Sequence, residues 1–119
     1  MKIELLYFED CPSWQIALEN IKSALRIEGL NVPVELIQIL DNDDAGKKRF
    51  LGSPSIRING IELWDEKREV YSLSCRVYAT PEGIKGSPTV SMLQLAIHRV
   101  TSENESGRQF TGRMCLEKS

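Results

Sequence analysis

The sequence predicts an α/β domain built on one central mixed sheet of about four strands, a βαβ unit followed by ββα. Three observations carry this. An apolar run from Ile3 to Phe8 leads into a segment of helical periodicity and then into a second apolar run, Val34 to Leu40. Asn59-Gly60 stands between two short alternating runs, and a last helical stripe follows Ser87-Pro88. In chain order the elements read β-α-β-α-β-β-α, and such alternation is the pattern of a sheet with helices packed on it.

Each element has its own signal. Ile3, Leu5, Leu6, Tyr7 and Phe8 make Lys2 to Phe8 nearly continuous in apolar character, the mark of a strand covered on both faces. From Pro12 to about Glu28, residues Trp14, Ala17, Leu18, Ile21, Ala24 and Leu25 recur at three- and four-residue spacing, one core-facing stripe. Gly29 suits the position just past that helix. Val34 to Leu40, interrupted only by Glu35 and Gln38, reads as a second internal strand, parallel to the first through a right-handed crossover.

Asp41 to Phe50 is polar and reads as a short surface helix capped by Asp41 or Asn42, with Gly52-Ser53-Pro54 breaking it. In Ile56-Arg57-Ile58-Asn59-Gly60-Ile61-Glu62-Leu63 the Asn-Gly pair specifies a two-residue type I′ hairpin. That register sets Ile58 against Ile61, Ile56 against Leu63 and Arg57 against Glu62. Beyond Trp64, Tyr71, Leu73, Cys75 and Val77 alternate with polar residues as a short edge strand would, and Thr80-Pro81-Glu82-Gly83 is a turn signal. Ser87-Pro88 is expected to open the last helix, with Val90, Leu93, Ile97 and Val100 on its buried stripe.

Composition narrows the functions. The 119 residues suffice for one domain, taken as residues 1–101, with residues 102–119 a flexible polar tail that carries Cys115. Fifteen basic against 17 acidic side chains give a formal charge of −2, which argues against nucleic acid as the partner. The basic run Lys47-Lys48-Arg49 follows Asp41, Asp43 and Asp44, as on a solvated helix with dipole-matched ends. No apolar run has membrane-spanning length, and no signal peptide follows Met1-Lys2. Three scattered cysteines suit a cytoplasmic chain and not a disulfide scaffold. One histidine, His98, with dispersed cysteines disfavours a four-ligand metal site, and no cofactor fingerprint is present.

The chemistry concentrates at Phe8-Glu9-Asp10-Cys11-Pro12-Ser13-Trp14, where a strand gives way to a helix. Unpaired amides and the helix dipole at such a junction favour thiolate, the reactive form. The dipole is worth about 0.3–1 kcal/mol at an exposed site, and Glu9 and Asp10 oppose it. The expectation is an accessible Cys11 thiol that is not strongly activated.

The element order, Cys11-Pro12 at the first helix and Ser53-Pro54 before the third strand resemble the thioredoxin-like superfamily over roughly Met1 to Thr101. The resemblance implies helices on both faces of the sheet and a cis peptide bond at Pro54 packed against Cys11. It also implies that the Ser53-Pro54-Ser55 backbone presents an extended thiol substrate, with Pro12 and Trp14 beside it. Cys11-Pro12-Ser13-Trp14 departs from the usual Cys-x-x-Cys, so an intrahelical disulfide is impossible. A resemblance to small thioredoxin-like chains labelled organomercurial lyases points to mercury handling.

Topology supplies a second thiol. The connection after Trp64 must begin on the reactive face, so Cys75 is a candidate to resolve a mixed disulfide formed at Cys11, provided their Cα atoms come within about 7 Å. The plainer alternative is an ordinary buried edge-strand cysteine. Three functions follow: thiol–disulfide exchange at Cys11 with protein or small-molecule thiols, a two-thiolate site for a soft metal such as Hg(II) or Cu(I), or a partner-binding module with an incidental thiol. The oligomeric state is open, a homodimer included.

Overall fold

The computed structural model describes residues 1–67 and 69–110, with the side chains of the last helix described as far as Thr101. In chain order the elements are β1 (Ile3–Tyr7), α1 (Trp14–Ile27), β2 (Val34–Gln38), α2 (Asn42–Lys48), β3 (Ser55–Ile58), β4 (Ile61–Glu62), β5 (Tyr78–Thr80), β6 (Gly83–Lys85) and α3 (Val90–Phe110). Among the described residues the main sheet runs β2-β1-β3-β4, with β5 and β6 forming a separate hairpin. β1 and β2 are parallel, while β3 is antiparallel to both β1 and β4. This is the thioredoxin-like arrangement expected of the sequence.

Strand parity sorts the core into two layers. Ile3 and Leu5 of β1 face the same way as Ile58 and Ile56 of β3, and with Ala17, Ile21, Ala24, Leu25, Leu93, Ala96, Ile97 and Val100 they form the larger cluster under α1 and α3. Leu6 points to the opposite face, where Ile39, Ala45 and Phe50 cover it from the α2 side. Helices therefore lie on both faces. Complete burial of a Leu or Ile side chain stabilises by roughly 1.5–3 kcal/mol, so the fully buried Ile3, Leu5, Ile21, Ile56 and Ile58 dominate the larger layer.

Several ends follow from local chemistry. α1 closes in a Schellman arrangement: Leu30 N–H donates to Leu25 O (2.9 Å) and Gly29 N–H to Arg26 O (3.1 Å), with Gly29 at φ +72°. Asp41 caps α2 by accepting from Asp44 N–H at 2.8 Å. Asn59 (φ +54°) and Gly60 (φ +81°) both take the left-handed backbone of a type I′ turn. The hairpin register is the expected one, Arg57 opposite Glu62 and Ile58 opposite Ile61, with Leu63 N–H donating to Ile56 O at 3.0 Å.

Other expectations need correction. β2 is an edge strand, not an internal one, because β3 inserts on the far side of β1 and no described strand pairs with the outer side of β2; Leu36 is 46% exposed. The stretch around Cys75 makes only an isolated bridge, and the strand signal is realised later as the β5–β6 hairpin around Pro81-Glu82. The last helix is capped by Thr89, whose Oγ1 accepts from Met92 N–H (3.2 Å), and not by Ser87. Pro88 stays outside it, its carbonyl accepting from Asn20 Nδ2 (2.9 Å). Helical backbone continues to Phe110, past the boundary expected at residue 101, while Cys115 lies outside the described residues. The His98 side chain is 65% exposed, with Nε2 2.6 Å from Glu28 Oε1 at the end of α1.

Candidate functional site

The site forms where the β1–α1 turn meets the residues preceding β3. Cys11 N–H donates to Phe8 O (3.1 Å), closing a turn before the helix. Helical hydrogen bonding begins with Ala17 N–H to Ser13 O (3.1 Å), so Pro12 lies in the turn and not in the first helical position. Trp14 stacks on Tyr7 at 4.2 Å and packs against the larger core cluster, a half-buried structural aromatic, while Pro12 is exposed.

Cys11 itself is buried, only 2% exposed, where an accessible thiol was expected. Its sulfur donates to Ser53 O at 3.5 Å. The Ser53–Pro54 peptide bond is cis, as the family resemblance implies. Two hydrogen bonds and burial fix that turn. Ser55 Oγ donates to Gly52 O (2.5 Å), the Tyr78 hydroxyl donates to Pro54 O (2.5 Å), and Pro54 is fully buried. Burial pushes the Tyr78 phenol above its ordinary pKa, which favours the protonated form that donates.

The backbone of Ser53 is already engaged. Ser53 N–H donates to Ser74 O (2.7 Å) and Ser53 O accepts from Arg76 N–H (3.0 Å), a parallel bridge between Ser53 and Cys75. The extended segment lying along Ser53 is thus the chain's own Ser74-Cys75-Arg76. Ser53 Oγ is buried and has no hydrogen-bond partner among the described residues.

This bridge brings Cys75 to Cys11. Cys75 is exposed as a residue, so it is not the buried edge-strand cysteine of the plainer alternative, and it bridges the same Ser53 whose carbonyl accepts from Cys11 Sγ. Partial burial first, then hydrogen bonding with and charge repulsion from Cys11, push the Cys75 pKa up. The local burial pattern alternates: Leu73, Cys75 and Val77 face outward, whereas Ser74, Arg76 and Tyr78 turn inward.

Arg76 anchors the segment from beneath. Its guanidinium donates to Trp64 O (2.8 Å), lies 3.7 Å from Glu62 and 3.5 Å from Glu66, and sits 4.8 Å over the Tyr78 ring. Glu62 is held in turn by Arg57 Nε at 3.0 Å, and Trp64 meets Tyr78 edge-on at 5.4 Å. Arg76 and Tyr78 escaped the sequence reading because the alternation sets the apolar Leu73 and Val77 on the face a strand would bury, whereas here those residues are exposed and Arg76 and Tyr78 turn inward. Gly52 was read only as a breaker. Its φ is +118°, and a Cβ there would lie 3.0 Å from Arg76 Cβ and 3.3 Å from Arg76 N, so a bare backbone is what lets the Cys75 segment dock.

Among the described residues no group of three or more His, Cys, Asp or Glu side chains gathers as a metal site, and no helix is long and apolar enough to cross a membrane. Two cysteines that meet at Ser53, one buried and one exposed, are the chemically distinctive feature.

No family model matches the chain, and no curated protein does. Among solved structures it is similar to thioredoxin 1 from the thermophilic eubacterium Thermosipho africanus TCF52B, at 16% identity and a TM-score of 0.48, over 88% of this chain and 99% of that one.

Proposed function

We propose that this protein is a thiol–disulfide redox protein whose working group is the Cys11–Cys75 dithiol. The observation that supports it is that both cysteines meet at Ser53, Cys11 Sγ donating to its carbonyl at 3.5 Å and Cys75 bridging its backbone. In this chemistry one protein thiolate attacks a partner disulfide and expels one partner thiolate. The second protein thiolate then breaks the resulting mixed disulfide. Two electrons and two protons pass to the partner, which leaves as two thiols, and the protein is left with a Cys11–Cys75 disulfide. Partners are protein or small-molecule thiols and disulfides.

The test is oxidation of the Cys115→Ser chain by a diazene oxidant. The expected product is an internal disulfide, seen as the loss of two hydrogens in the intact mass and of both alkylatable thiols. Cys11→Ser and Cys75→Ser should each abolish it. A chain that keeps both thiols free under oxidation overturns the proposal.

The same placement of two cysteines at Ser53 favours one second reading, a two-thiolate site for Hg(II) or Cu(I), which thiolate ligands select. Mass spectrometry of metal-loaded protein with each cysteine removed in turn separates it from the redox function, and absence of bound metal at equimolar load disposes of it.

A further inference from the structure

The two sulfurs of the pair differ in what can reach them. Cys11 is 2% exposed and its sulfur lies 3.5 Å from the carbonyl oxygen of Ser53, the residue that Cys75 bridges. Cys75 is exposed, and its neighbours at two-residue spacing, Leu73 and Val77, are themselves 37% and 65% exposed. Displacement at sulfur needs the attacking thiolate in line with the bond it breaks, so an external disulfide has to come against the attacking atom directly. A buried thiol cannot meet that requirement, but it can attack a sulfur already beside it.

We infer that Cys75 is the thiol that attacks the partner disulfide and Cys11 the one that resolves it, the reverse of the order expected from the Cys-Pro motif. The order rests on the dithiol reading. Cys75 Sγ, its proton lost to solvent, bonds to one sulfur of an external disulfide, and the other sulfur leaves as a thiolate. Cys11 Sγ then attacks Cys75 Sγ; the Cys75–partner bond breaks, and the second partner thiolate departs and takes up the proton that Cys11 releases. The Cys11–Cys75 disulfide is the oxidised product. Cys11 never has to meet solvent, which accounts for a buried sulfur on the motif that resembles a redox site. The bridge to Ser53 also acquires a role, since it keeps Cys75 within reach of Cys11 while leaving its outer side free.

The experiment uses the full chain with Cys115→Ser and an aromatic chromogenic disulfide, dithiobis-nitrobenzoate, as the probe. Adding Cys11→Ser should leave the first release of chromophore within about 3-fold of the parent rate and trap a stable one-to-one adduct on Cys75, whereas adding Cys75→Ser should slow it by ~10-fold or more. A second measurement needs no cysteine-pair variant: substoichiometric alkylation of the parent, followed by peptide mapping, should find the label on Cys75. Label first on Cys11, or a Cys75→Ser chain that reacts at the parent rate, overturns the order. Failure of the dithiol reading looks different, because the oxidised parent would then contain no internal disulfide whichever cysteine reacts first.

Discussion

Ser53 and Cys75 face one another across a single parallel bridge, Ser53 donating to Ser74 O at 2.7 Å and accepting from Arg76 N–H at 3.0 Å. Those two hydrogen bonds hold the segment that carries the second sulfur. They depend on Gly52, the preceding residue, whose absent side chain leaves room for Arg76.

Gly52→Ala should therefore act on both stability and redox behaviour. A non-glycine residue at φ +118° stores about 1–3 kcal/mol of backbone strain. The new methyl also presses on Arg76 backbone, which cannot swing aside as a long side chain would. Urea denaturation should show a lower midpoint, and hydrogen exchange should accelerate at the Ser53 and Arg76 amides. If the midpoint and both amides match the parent, the docking account is wrong.

Tyr78→Phe isolates the support beneath Pro54. The ring can keep its contacts with Trp64 and Arg76, but Pro54 O loses the hydroxyl that donates to it. Leaving a buried carbonyl without a partner costs roughly 1–3 kcal/mol. A drop in denaturation midpoint without a change in the slope against urea is the expected signature. No loss of stability would mean that this hydrogen bond contributes nothing net.

What the sequence disclosed was whatever is decided locally. Asn59-Gly60 needs only its own backbone preferences to make a hairpin, and its register followed from those two residues. Asp41 could be recognised as a cap because the amide it accepts from is three residues on. The edge position of β2 was hidden because Val34 to Leu40 is as apolar as a buried strand; only its distant pairing partners decide where it lies. Burial of Cys11 was hidden for a similar reason. Glu9 and Asp10 beside it are exposed, and the segment that meets its sulfur is remote in sequence, joined to Ser53 by one bridge. Cys75 was reachable from topology, yet nothing in its neighbours distinguished a working thiol from a packed one.

Gly86 and Ser13 make a second close approach, between the end of the β5–β6 hairpin and the turn after Cys11. A Cβ on Gly86 would run into Ser13 Oγ and lie 2.9 Å from Ser13 Cβ. Gly86→Ala should cost about 1–3 kcal/mol, the usual penalty of overfilling a packed contact. Ser13→Gly in the same chain should recover most of it, because both clashing atoms disappear. A double-mutant cycle checks this, and simple additivity of the two effects would refute the contact.

The last prediction concerns pH. Burial and Cys11 push the Cys75 thiol up, so less of it is thiolate at a given pH than in an unstructured peptide. The alkylation rate of Cys75 should therefore keep rising with pH beyond the ordinary thiol range. Removing Cys11 deletes the hydrogen bond and the charge repulsion but not the burial, so in Cys11→Ser the profile should move toward lower pH without reaching that of the peptide. Stability carries the same sign. A raised pKa means that the folded state holds this proton more tightly than the unfolded chain does, so the associated stability is complete below the unfolded pKa and is lost as pH climbs through the folded one. Reduced protein should accordingly weaken in urea titrations as pH rises past the ordinary thiol range, and Cys75→Ser should weaken less. Iodoacetamide kinetics on the Cys115→Ser chain, with and without Cys11→Ser, read the shift directly; a profile that stays put or moves upward when Cys11 is removed would show that the two sulfurs do not interact.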